Sequence, residues 1–194
     1  MGQQGPKAFQ WKIWQPEKKK AQVTVFDILG FLASSFGAAF CITCLYLAIR
    51  GLMGLGGRVS SGAGPGGAPD WIWVVPVSII LGLIFIFISA AFSHRVDGPS
   101  LFLPAWSGIF LSLGYNFLDF GFNPQGLADK PGPIGALVAC GIVFVIMGAV
   151  PVAISIKAGW ISLKGKSVRL LILQVASIGL GILAAMKSLK MIQG

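Results

Sequence analysis

The residues with the clearest capacity for chemistry lie between Gly108 and Asp119. Gly108, Ser112, Tyr115 and Asp119 follow steps of four, three and four, so on an α-helix they share one face, with Asn116 beside them. A hydroxyl, a phenol, an amide and a carboxylate on one face of an apolar segment form a candidate site for a solute, an ion or a proton. Ionisable groups are costly inside a bilayer and are usually kept there for a function. A structural reading competes with this one. If the helix starts near Leu101, Asp119 lies about 27 Å further along, near the far interface, where water solvates a carboxylate.

The other reactive residues are scattered. Cys41 and Cys44 make the one Cys-x-x-Cys of the chain, inside a long apolar segment with no further ligand beside them, so soft, compact packing explains them better than metal or redox chemistry. Cys140 stands alone. His94 is the single histidine, which excludes a haem held by two histidines of this chain and a multi-histidine metal site. With Arg95 and Asp97 close behind it, His94 reads as an interfacial residue. A membrane enzyme needs a base, a nucleophile or metal ligands gathered at one interface. Asp27, His94 and Asp97 fall on one side of the expected topology and Asp119 on the other, so no catalytic pair forms, and no motif indicates a cofactor. The run Gly62-Ala63-Gly64-Pro65-Gly66-Gly67 is superficially like a phosphate-binding loop but follows no strand.

Membrane helices must position these residues. Of 194 residues, 55% are hydrophobic and 11% charged, where a soluble domain has roughly 45–50% and 25%. The apolar residues fall in long blocks, and about 18 or more uncharged residues in a row read as a spanning helix. Spans are expected over residues 23–49, 71–92, 101–120, 133–156 and 170–186. The fold is then an all-α polytopic transmembrane bundle, with a basic aromatic arm over residues 1–22 and a transmembrane domain over 23–194. Pro104, Tyr115, Asn116 and Asp119 interrupt the third segment, and a re-entrant third segment would leave four spans. Thr24 and Asp27 have the spacing of a capping box, Asp70 can cap the second span, and Trp71 and Trp73 suit the headgroup level. Pro76 and Pro151 lie within spans two and four, where proline is tolerated as a kink. Residues 51–69 carry eight glycines and should form a flexible connector.

The net charge of +9 comes from fifteen Lys and Arg residues that sit mainly at the ends of the apolar blocks. They are topology signals and leave no basic face for nucleic acid. With five spans and the N-terminus inside, ten fall inside and five outside; with four spans the division is nine to six. Five spans in a plasma or inner membrane are preferred, with a cytoplasmic N-terminus and an outer C-terminus. The polar, basic start lacks the pattern of a cleaved signal peptide, and Pro6 stands where myristoylation at Gly2 would want Ser or Thr.

Close helix packing in lipid needs small residues recurring on one face. Gly30, Ser34, Gly37, Cys41, Cys44 and Ala48 form such a stripe in the first span, and Gln174, Ser177, Gly181, Ala184 and Ser188 another in the fifth. Ser78, Gly82 and Ser89 share one side of the second. In the arm, Trp11 and Trp14 beside Lys18, Lys19 and Lys20 suit an anionic membrane surface or a neighbouring subunit. Together these features point to a non-catalytic subunit or assembly factor of a membrane complex, with the lipid bilayer and other membrane subunits as partners. The alternative is a small transporter or channel built on the polar face of the third span.

Overall fold

The computed structural model describes residues 22–60, 70–124, 134–157 and 167–193. The helices are α1 Val25–Ser60, α2 Val74–Arg95, α3 Phe102–Phe122, α4 Gly135–Lys157 and α5 Val168–Gln193. Trp11, Trp14, Lys18, Lys19 and Lys20 of the arm, and the glycine run at 62–67, lie outside the described residues.

Thr24 and Asp27 fix the start of α1. The Asp27 carboxylate accepts from the Thr24 backbone N–H at 3.0 Å and from its hydroxyl at 2.7 Å, while the Asp27 N–H donates to Thr24 Oγ1 at 3.2 Å. This reciprocal cap satisfies groups that a helix start leaves free. The helix then runs for 36 residues, about 54 Å against a hydrocarbon core of about 30 Å. It continues through the glycines expected to begin a connector at Gly51. Each helical glycine costs roughly 1 kcal/mol relative to alanine, but Met53 packs against the Leu45 and Ile49 cluster and carries the helix on.

The second helix departs from expectation at its start. Residues 70–73 form turns whose carbonyls accept from Val74, Val75 and Val77, and the N-cap residue Trp73 makes no side-chain cap. Asp70 is therefore not the capping residue. Pro76 sits in the first turn, where a missing N–H removes no helical bond, so it needs no kink. Trp73 is exposed, whereas Trp71 packs inward against the cluster of Cys44, Ala48 and Val74.

Pairings between helices give their directions. Gly30 meets Phe92, Gly37 meets Phe85 and Cys41 meets Gly82, so α2 runs against α1. Ile42 meets Gly108, Tyr46 meets Asn116 and Arg50 meets Asp119, so α3 runs with α1. Gly148 meets Leu111 and Gly121 meets Val138, so α4 runs against α3. Leu32 meets Ser177 and Phe36 meets Gly181, so α5 again runs with α1.

By length and hydropathy, Val25–Met53 of α1, α2, Gly135–Ile156 of α4 and Val168–Lys190 of α5 can each cross a membrane. The 21 residues of α3 extend about 31 Å but are less apolar, and α3 is not among these four. The alternating directions are those of a bundle in which each helix runs against the one before it. A re-entrant third segment would reverse α4 and α5, and α5 would then oppose α1. The chain is an integral, multi-span helical membrane protein.

At the centre is α1, which packs on α2, α3 and α5, whereas α4 packs on α3 alone among the described residues. The small-residue stripe of α1 takes up α2: a Cβ on Gly37 would lie 2.7 Å from the Phe85 ring, and Gly30 leaves similar room for Phe92. Val74, Ser78, Gly82, Ile86, Ser89 and Ser93 form the buried face of α2. On α5 the contact row steps by four through Ser177, Gly181, Ala185 and Leu189. That row buries Ala185 fully and leaves Ala184 at its edge, half-buried.

Candidate functional site

The polar residues of α3 lie along α1: Gly108 meets Ile42, Tyr115 and Asn116 meet Tyr46, and Asp119 meets Arg50. Ser112 donates its hydroxyl to the Ile109 carbonyl of its own helix at 2.8 Å. Tyr115 is 54% exposed and points outward. Asn116 is only 1% exposed and donates its amide to the Tyr46 carbonyl of α1 at 3.3 Å. Its Oδ1 is buried with no partner among the described residues. Gly108 lies against Ile42. On the other side of α3, Gly114 and Gly121 pack against α4.

Asp119 has a partner that the sequence did not identify. Arg50, at the corresponding level of α1, donates to its carboxylate at 2.7 Å, with side chains 48% and 33% exposed. The guanidinium lies 5.8 Å from the centre of the Tyr115 ring, and the Tyr46 and Tyr115 rings are 6.4 Å apart. Asn123 donates to the other Asp119 oxygen at 3.5 Å. An ion pair this open to solvent contributes about 0.2–1 kcal/mol. Its larger effect is to spare two charges the cost of facing lipid unpaired. Two spans running in the same direction end on the same side, and that was the available signal for this pair.

A second ion pair closes the opposite end. Arg95 of α2 donates to Asp27 of α1 at 3.3 Å, and its guanidinium lies 5.7 Å from the Phe92 ring centre. Asp27 and Arg50 are 23 residues apart on α1, about 35 Å, a little more than the hydrocarbon core. The two pairs therefore stand about one hydrocarbon thickness apart along α1.

Between them, buried polar groups join helix to helix. Gln174 of α5 donates to Ser35 Oγ of α1 at 3.3 Å and to the Pro99 carbonyl before α3 at 3.2 Å. Ser177 donates to the Leu32 carbonyl at 2.7 Å. On the other flank, Pro151 of α4 has no N–H to give the Met147 carbonyl, and Trp106 Nε1 of α3 donates there at 3.3 Å instead. Ser107 donates to the neighbouring Gly148 carbonyl at 2.7 Å.

Cys41 and Cys44 are both buried in packing contacts, Cys41 against Gly82 and Cys44 among Ala48, Val74, Ala185 and Leu189. Among the described residues no three His, Cys, Asp or Glu side chains gather as metal ligands do. His94 and Asp97 are exposed at the Asp27 end, far from Asp119. Comparison with protein families, with characterised proteins and with solved structures finds no match for this chain.

Proposed function

We propose that this protein is a non-catalytic membrane subunit, or an assembly and stabilising factor, of a larger membrane complex. The observation that carries this reading is the use made of the polar side chains. Arg50, Asp119, Asn116, Gln174, Ser177, Trp106 and Ser107 are engaged in holding helices to one another. The flanks support it as well. Packed on α3 alone, α4 leaves Ile142, Val143, Ile146, Val150 and Ile154 exposed, and α5 leaves Ile172, Val175, Leu180 and Leu183. Broad apolar flanks on a rigid core suit a chain that occupies a place between larger neighbours.

The test is purification in a mild detergent. A stoichiometric complex with one or more other membrane proteins is expected, and a lone monodisperse monomer under all mild conditions refutes the reading.

A small transporter or channel is the second reading, and one observation favours it: the buried Oδ1 of Asn116, without a partner among the described residues and one turn from the Arg50–Asp119 pair. On that reading Asp119→Asn abolishes solute or proton flux in vesicles. Absence of flux in the parent protein, or unchanged flux in the variant, removes it.

A further inference from the structure

We propose that the α3–α4 hairpin is a hinged unit that swings away from α1 at the Asp119 end of the bundle, where the Arg50–Asp119 pair is its latch.

Topology puts the pivot at the opposite end. There α2 ends and α3 starts, and there α4 ends and α5 starts. The chain therefore passes between the hairpin and the other three helices only at the Asp27 end. The turn from α2 to α3 is also pinned there. Gln174 of α5 donates to the Pro99 carbonyl at 3.2 Å, and a Cβ on Gly98 would lie 2.8 Å from the Phe31 ring of α1.

Packing divides the helices in the same way. Between α3 and α4 the backbones nearly touch: a Cβ on Gly114 would lie 3.0 Å from the Val145 nitrogen, and one on Gly141 2.9 Å from the Leu118 nitrogen. Trp106 and Ser107 add two bonds to α4 carbonyls, so the hairpin moves as one body. The other body is α1 with α2 and α5, where the Phe85 ring fills the notch at Gly37 and a Cβ on Gly181 would lie 2.6 Å from the Phe36 carbonyl oxygen.

Between the two bodies the fit is looser. A Cβ on Gly108 of α3 would meet Ile42 of α1 only at 3.8 Å, an ordinary contact. The seam there is apolar, with Ala105 and Ile109 beside Leu45 and Ile86, and in lipid such surfaces gain little from contact unless they pack closely. No clamp comes from α5, which does not touch α3 among the described residues. Phe87 of α2 meets α3 at its first residue, Phe102, with 5.7 Å between ring centres.

At the Asp119 end only side chains close the seam. The Arg50–Asp119 pair at 2.7 Å is open to solvent and therefore weak. Asn116 reaches the Tyr46 carbonyl at 3.3 Å, but its Oδ1 stays buried without a donor among the described residues. That unmet acceptor is a cost of the closed position, and water removes it once the seam opens. A weak latch set against an unsatisfied acceptor makes a two-position element. From Leu101 to Asp119 the lever is about 27 Å long, so a swing of about 10° moves its far end by about 5 Å.

The proposal goes beyond the subunit reading, which co-purification tests, and each body keeps its own rigid core. The full-length chain, in a background lacking Cys41, Cys44 and Cys140, is spin-labelled in pairs at exposed positions and reconstituted in phosphatidylcholine nanodiscs, and distances are read by double electron–electron resonance. Labels at Gly135 of α4 and Lys190 of α5 report the Asp119 end, and labels at Ile156 and Val168 report the Asp27 end of the same two helices. Labels at Trp73 and Lys190 report the body built on α1. Asp119→Asn should lengthen the distance from Gly135 to Lys190 by about 5 Å and leave the other two unchanged. Exchange of the pair, Arg50→Asp with Asp119→Arg, should return it to the parent value. In the parent protein the Gly135 to Lys190 distribution should be about twofold wider than that from Ile156 to Val168. An unchanged distance in inserted Asp119→Asn protein, equal lengthening at both ends, an inserted exchange variant that stays open, or equal widths in the parent would each overturn the proposal. Should a substituted chain fail to insert, the parent widths decide.

Discussion

Pro151 carries no N–H, so the Met147 carbonyl one turn earlier loses its helical donor, and in lipid no water replaces it. Trp106 supplies one from the neighbouring helix, while its ring packs on Phe110 at 4.7 Å between centres. Trp106→Phe keeps most of that packing and removes the donor. The expected loss is about 1–2 kcal/mol, a fall of a few degrees in the melting temperature in detergent. In a Pro151→Ala background, where the helix makes its own bond, the same substitution should cost measurably less, and additive effects would disprove the link. Asp97 offers a change of opposite sign. It closes α2 at φ 52°, while the Val96 and Gly98 N–H groups donate back to the Phe92 and Ser93 carbonyls, each at 3.0 Å. Glycine takes up that left-handed backbone without strain, so Asp97→Gly should stabilise by about 0.5–1 kcal/mol in the same melt.

Two glycines of α5 separate tertiary packing from helix propensity. A Cβ on Gly181 would lie 2.6 Å from the Phe36 carbonyl oxygen of α1, whereas one on Gly179 meets nothing within 4 Å. Gly181→Ala should therefore destabilise by about 1–3 kcal/mol through forced separation of backbones. Gly179→Ala should be neutral or gain up to about 1 kcal/mol from helix propensity. Equal effects in thermal melts would mean that α1 and α5 do not pack as described. The same helices show what could be read from sequence. The stripes on α1, α2 and α5 were visible because small residues recur with the helical period. A stripe carries no address, however, and the sequence could not say that Gly30 and Gly37 receive the Phe92 and Phe85 rings of α2 while α5 takes another side of α1. Charge counting takes every cation at the end of an apolar block as solvated, Arg50 among them. Its pairing with Asp119, like that of Trp106 with Met147, depends on the register between helices, which no local pattern encodes.

At the scale of the molecule, α1 and α5 run in the same direction, so with α3 as a fifth span the chain before α1 and the chain after α5 lie on opposite sides of the bilayer. Single cysteines introduced at Gln22 and at Lys190, in a background lacking Cys41, Cys44 and Cys140, should be labelled by a membrane-impermeant maleimide from opposite faces of sealed vesicles. Labelling of both from one face would restore four spans. The central position of α1 also bears on how the protein is made. Of the five described helices, α1 leaves the ribosome first and is the one that α2, α3 and α5 all pack on, and it emerges before Asp119, the partner of Arg50, has been made. Asp119 follows 69 residues later, about 3 to 14 s at ordinary synthesis rates. Ser177, which meets Leu32, comes 145 residues after it. Through that interval the Leu32, Ser35 and Phe36 side of α1, which α5 covers, stands open to lipid or to other nascent helices. Assembly of this bundle therefore has to wait on its last helix to close the side of α1 that faces α5.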